Sequence, residues 1–204
     1  MLYDLLKRKF PFFVILSLII ITLVGQKFAP IFLYDRSLIL NGEYWRILTC
    51  HFVHTGWNHL FLNLTASMLV FSLFFHLYSP LGWLIGAAFC MIGISLSFLL
   101  FCPNLEWYIG LSGLLHGLFV MGIIGEIRKG NILFCLGLLA VTTKLTLEYF
   151  IGPSNITNQF INAIVITNAH LSGAIIGCIA AYLIIFTREI LLNQSIKLTA
   201  KPAE

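Results

Sequence analysis

Three polar clusters interrupt long apolar stretches, and together they hold the residue types of acyl-transfer chemistry. The first is Gly110-Leu111-Ser112-Gly113, followed by His116 and Gly117. A serine that opens a helix lies at the positive end of the helix dipole, beside N–H groups with no acceptor inside the helix. Such groups can hold an oxyanion. Gly110 and Gly113 remove side chains that would block an approaching peptide backbone, and Gly113 with Gly117 admits a close neighbouring helix. A plainer alternative stands beside this one: Ser112 caps a helix and the glycines pack.

The second cluster is Ala169-His170-Leu171-Ser172-Gly173. Ala169, Gly173, Gly177 and Ala181 recur every four residues, a small-residue stripe that lets a partner helix approach at backbone distance. His170 lies close to that face. If the partner helix carries Ser112, His170 can act as general base and then as general acid to the leaving amine. The alternative is a histidine hydrogen-bonded in a bundle interior. The third cluster pairs His59 with Asn63 one helical turn on. An amide N–H of Asn63, with help from His59, suits a tetrahedral oxyanion, and an interhelical polar clamp is the competing reading. No Asp or Glu within the apolar segments is placed to orient His170, so these residues imply a Ser–His dyad.

The elements that must position these groups are membrane spans. The 204 residues are 59% hydrophobic and 10% charged, with a mean hydropathy of +0.96, too few charges to cover a water-soluble surface. A spanning helix needs about 20 apolar residues. Segments of that kind fall at 10–32, 58–78, 81–101, 110–127, 131–151 and 163–187, giving six spans in a single all-α, polytopic membrane domain over 1–204. The stretch from Phe32 to Trp57 reads as an amphipathic interfacial loop. Residues 194–204 read as a disordered cytoplasmic tail.

Charge sets the orientation. With both termini cytoplasmic, Lys7, Arg8, Lys9, Arg128, Lys129, Arg188, Lys197 and Lys201 lie inside, against Lys27, Arg36 and Arg46 outside, a positive-inside bias of eight to three. The apolar run from Phe10 to Val24 behind Lys7, Arg8 and Lys9 resembles a signal peptide but lacks a convincing cleavage site, so it is read as an uncleaved first span. Lys144 and Glu148 stand one turn apart in the fifth span; ionisable residues inside a membrane are often functional, and the plainer reading, which is favoured, has these two simply pair or snorkel near the outer end. His116 has no assigned role.

Basic patches for nucleic acid are absent, and no cofactor is implied. Cys50, His51, His54 and His59 crowd together, yet the His-Glu-x-x-His pattern of zinc proteases is missing, so no metal is assigned. His51 and His54 are expected to hydrogen-bond within the interfacial loop. The five cysteines form no CxxC pair; only Cys50 and Cys102 lie where a disulfide is conceivable, near an outer face. A small transporter and a non-catalytic binder of membrane clients are the rival readings. A transporter often shows internal repeats or helices broken at the midplane, whereas the polar residues here gather towards one face.

Taken in order, six spans, a loop with Trp45-Arg46, His59-x-x-x-Asn63, Gly110-Leu111-Ser112-Gly113 and Ala169-His170 with Gly173, the chain resembles the rhomboid intramembrane proteases over almost its whole length. That resemblance implies Ser112 as nucleophile, His170 as base, and an oxyanion hole of Asn63, His59 and the backbone N–H groups of Leu111 and Ser112. The run from His54 to His59 and Ser112-Gly-Leu-Leu-His-Gly117 are similar to rhombosortases. This implies exported bacterial substrates with a C-terminal Gly-Gly, a single apolar span and a basic cluster, and an enzyme in the inner membrane.

Overall fold

A computed structural model describes residues 16–199, with side chains as far as Leu191. The long helices are α1 (Leu16–Gln26), α2 (Trp57–Phe74), α3 (Pro80–Phe101), α4 (Ser112–Arg128), α5 (Phe134–Phe150) and α6 (Thr167–Thr199). Among the described residues, three helices are long and apolar enough to cross a membrane: α2 with its extension to Leu77, α3, and α6 to Leu191. A short helix, Asn155–Ile161, follows α5 at a bend of 85°, and this bent pair qualifies as a fourth crossing if taken together. Lys7, Arg8, Lys9 and the start of the expected first span lie outside the described residues.

α4 is the axis of the bundle, buried on nearly every side from Gly113 to Glu126. Its glycines explain how. A Cβ on Gly113 would lie 2.9 Å from the carbonyl oxygen of Ala169, and one on Gly117 would lie 2.8 Å from that of Gly173. A Cβ on Gly173 or Gly177 would in turn strike the backbone of Gly113 or Gly117. Two helices whose facing surfaces are bare backbone approach far closer than side chains would permit. α5 differs, because Leu145 is its single buried residue.

The first span was expected to run to residue 32, but α1 stops at Gln26 and a separate turn of helix covers Ala29–Phe32. Pro30 has no N–H with which to continue α1. The Gln26 amide instead turns to the loop, accepting from the backbone N–H of His54 at 3.0 Å and donating to its carbonyl at 2.5 Å.

The interfacial stretch is more ordered than a plain amphipathic loop. It holds helices at Arg36–Leu40 and Arg46–Thr49, and Asp35 caps the first by accepting from the Leu38 N–H at 3.0 Å. Arg36 reaches the carbonyl end of α3, donating to Phe98 at 3.0 Å and Leu99 at 2.9 Å, where a cation complements the helix dipole. Arg46 is buried, paired with Glu43 at 2.7 Å and donating to the carbonyls of Pro30 and Leu33. A short ribbon also departs from the all-α expectation: β1 (Tyr34–Asp35) pairs antiparallel with β2 (Trp107–Tyr108). Two-residue strands leave almost no periodic signal in sequence. The ribbon is fixed by packing, since the buried rings of Tyr34 and Tyr108 both meet the face or edge of Phe98, at 5.5 and 5.0 Å.

At the other end, α6 continues past the expected start of a tail at residue 194 and stays helical through Thr199. In the sequence no glycine or proline stands between Gly177 and Pro202. Residues 200–204 lie outside the described set. Cys50 and Cys102 are both free thiols. Cys50 lies beside the Ser95 hydroxyl, and Cys102 accepts from the Asn168 amide at 3.2 Å.

Candidate active site

The backbone contact between α4 and α6 carries one side chain from each helix into register. Ser112, first residue of α4, places its Oγ 3.0 Å from Nε2 of His170. His170 is buried in the first turns of α6. The segment leading to Ser112 is held rigidly: the Gly110 N–H donates to the Cys50 carbonyl at 3.0 Å, and the Tyr108 hydroxyl donates to the Gly110 carbonyl at 2.6 Å. Gly110 has φ +125°, a conformation L side chains rarely adopt, and a Cβ there would stand 2.8 Å from the His59 ring. Only glycine meets both demands.

From α2, His59 and Asn63 approach the same loop. His59 Nδ1 is 3.1 Å from the Thr55 hydroxyl. The Asn63 side chain is buried, and its Nδ2 has no hydrogen-bond partner among the described residues. A buried amide donor without a partner has a hydrogen bond still to give.

Behind His170 the sequence-based expectation fails. Glu148 of α5 brings Oε2 to 2.9 Å from His170 Nδ1, so an acidic side chain does orient this imidazole. Lys144 and Glu148 do pair, at 2.6 Å, but through Oε1, which leaves the second oxygen for His170. Lys144 Nζ also lies 3.1 Å from His116 Nε2. His116 Nδ1 is 2.8 Å from the Ser112 carbonyl, and its ring lies flat on His170, centroids 4.1 Å apart and planes 17° from parallel.

The partners fix the protons. A carbonyl only accepts, so His116 carries its proton on Nδ1, and its Nε2 accepts a hydrogen bond from the Lys144 ammonium. A carboxylate only accepts, so His170 donates from Nδ1, and its Nε2 faces the Ser112 hydroxyl. In the neutral ring that proton on Nδ1 leaves Nε2 with the lone pair a general base requires.

A cavity of about 260 Å³ opens onto these groups, lined by Asn63, Ser112, His116, Lys144, Glu148 and His170 among others. The Rhomboid domain model matches residues 41–186, from the interfacial loop through most of α6. The chain belongs to the rhomboid family. Rhomboid proteins are intramembrane serine proteases and multi-pass membrane proteins. Comparison with curated proteins and with solved structures gave no significant match.

In this rhomboid, the histidines upstream of α2 serve the scaffold. The His51 ring reaches out of the interfacial loop, with Nε2 3.1 Å from the Met91 carbonyl on α3, where a partner within the loop was expected. The His54 ring has no hydrogen-bond partner among the described residues and packs edge-on against His59 at 4.9 Å; only its backbone is bonded, to Gln26. Burial holds both imidazoles well below the ordinary histidine range. Sequence reasoning missed Tyr108, Glu148 and the place of His116. A signal existed for two of them: Ser112 with His116, and Lys144 with Glu148, are i,i+4 pairs of polar residues inside apolar helices. Nothing local pointed to Tyr108.

Proposed function

We propose that this rhomboid is an intramembrane serine endopeptidase with Ser112 as nucleophile and His170 as general base. The single observation that carries the reading is the 3.0 Å contact between Ser112 Oγ and His170 Nε2. In the proposed reaction, Oγ bonds to the scissile carbonyl carbon as its proton passes to Nε2. The oxyanion is held by Asn63 Nδ2, by the N–H groups of Leu111 and Ser112, and by His59. The C–N bond then breaks, the leaving amine takes the proton from His170, and the acyl-enzyme is released by water, or by an amine in a transpeptidation.

The chain is read as six spans with both termini cytoplasmic, in the inner membrane. The 17-residue α4 and α5 are short, and each would cross with its flanking turns. The substrate is read as a single-span membrane protein that enters laterally between α2 and α5 and unwinds at its helix end. Within the family we favour a rhombosortase acting on Gly-Gly sorting tails, on the strength of His54-Thr55, Asn58-His59 and the run from Ser112 to Gly117. A general rhomboid protease with other single-span substrates is the second reading. The test compares membrane and secreted proteomes with wild type and with Ser112→Ala. C-terminal tails that persist only in the variant are expected, and an unchanged set of proteins would reject the sorting reading.

A further inference from the structure

Lys144 and Glu148 take no part in the reaction just described, yet they close a ring around its base. From Ser112 Oγ the contacts run to His170 Nε2, from His170 Nδ1 to Glu148 Oε2, from Glu148 Oε1 to Lys144, and from Lys144 to His116. His116 returns to the backbone carbonyl of Ser112 and lies flat on His170. The carboxylate, the ammonium and the carbonyl each act only as acceptor or only as donor, and they set the direction of every link except that between Ser112 and His170, where the hydroxyl can do either. A bare structural ion pair on α5 would need one carboxylate oxygen. Here the carboxylate is split between the ammonium and the base.

On the reading that Ser112 and His170 are the catalytic pair, we infer that Glu148 is a positioning residue that completes a Ser–His–Glu triad, and that Lys144 positions Glu148. The carboxylate holds His170 in the Nδ1–H tautomer and stabilises the imidazolium that forms when Ser112 gives up its proton. Lys144 fixes the free oxygen, so that Glu148 has one orientation available. Because Glu148 acts through His170, its loss falls on kcat and leaves KM nearly unchanged.

The test uses the full-length protein in detergent or proteoliposomes with a cleavable single-span substrate. Glu148→Gln keeps the shape but removes the charge, and kcat is expected to fall on the order of 10⁴-fold, as when the acid of a soluble triad is replaced. Lys144→Met is expected to fall about 10-fold, and to cost nothing further when added to Glu148→Gln, because the two share one route to His170. A readout that needs no substitution at 148 is the imidazole ¹⁵N spectrum of Ser112→Ala. Its His170 signal, assigned by its loss in His170→Gln, is expected to report a hydrogen-bonded Nδ1–H. An Nε2–H tautomer there overturns the inference whether or not Glu148→Gln folds. Wild-type kcat in Glu148→Gln, with Ser112→Ala and His170→Ala inactive, overturns the triad and spares the protease. Activity in Ser112→Ala or His170→Ala rejects the protease reading itself.

Discussion

Gly117 of α4 and Gly173 of α6 stand so close that a methyl group on Gly117 would come 2.8 Å from the Gly173 carbonyl oxygen. This contact, repeated by Gly113 with Ala169 one turn nearer the site, sets the separation across which Ser112 and His170 meet. Gly117→Ala therefore pushes apart two helices that cannot yield through side-chain movement. A destabilisation of about 1–3 kcal/mol is expected from overpacking. A shift of even ~1 Å at the reacting atoms would lower kcat on the order of 10²-fold. Thermal unfolding in detergent and single-turnover cleavage measure the two effects separately.

Asn63→Ala should separate catalysis from stability in the opposite way. Its Nδ2 has no partner among the described residues, so the folded protein loses no bond at that atom. Removal of one oxyanion donor costs roughly 10²–10³ in rate. Cleavage by this variant at the wild-type rate would remove Asn63 from the mechanism.

His116 offers a test of stacking against hydrogen bonding. Its ring lies 4.1 Å from that of His170 while its nitrogens serve Ser112 and Lys144. An aromatic pair contributes about 0.5–1.5 kcal/mol, so His116→Ala is expected to slow cleavage up to about 10-fold. His116→Phe keeps the stack, and recovery of most of that loss would show that the flat contact matters most. If Phe is as slow as Ala, the hydrogen bonds to Ser112 and Lys144 dominate.

Acid should destabilise the fold through the interfacial loop. Burial brings His51 to about 4 and His54 to about 3, whereas an unfolded histidine takes its proton near ~6.5. Below ~6.5 the unfolded chain therefore binds more protons than the folded one, and stability falls with pH by up to ~1.4 kcal/mol per unit for each group. The unfolding midpoint is expected to drop between pH 7 and pH 5, and to drop less in His54→Gln. An equal drop in both proteins would show that His54 is not a source of the acid sensitivity.

The residues that met in space were the ones whose signals were strong and local. Ser112 and its glycines, His59 with Asn63, and the stripe from Ala169 to Ala181 each break an apolar pattern at helical spacing, and hydrocarbon makes such breaks costly. Glu148 was visible as an i,i+4 partner of Lys144, but which neighbour its second oxygen meets depends on the rotation of α5 against α6, and no pattern within α5 encodes that. The ribbon of Tyr34 with Tyr108 was unreadable for a related reason. Two residues carry no period, and what fixes them is Phe98, more than sixty residues from Tyr34 in the chain. The docking of Gln26 on the His54 backbone is a similar case, although Pro30, which keeps α1 from continuing, was legible in the sequence.

Covalent labelling tests the Ser112–His170 pair most directly. Membranes carrying the wild-type chain are treated with a fluorophosphonate, and the intact protein and its peptides are weighed by mass spectrometry. One phosphonyl adduct on Ser112 is expected, absent from Ser112→Ala and formed at least ~10²-fold more slowly in His170→Ala, whose hydroxyl has lost its base. Equal labelling of wild type and His170→Ala, or an adduct on another residue with Ser112 unmodified, would contradict the assignment of nucleophile and base.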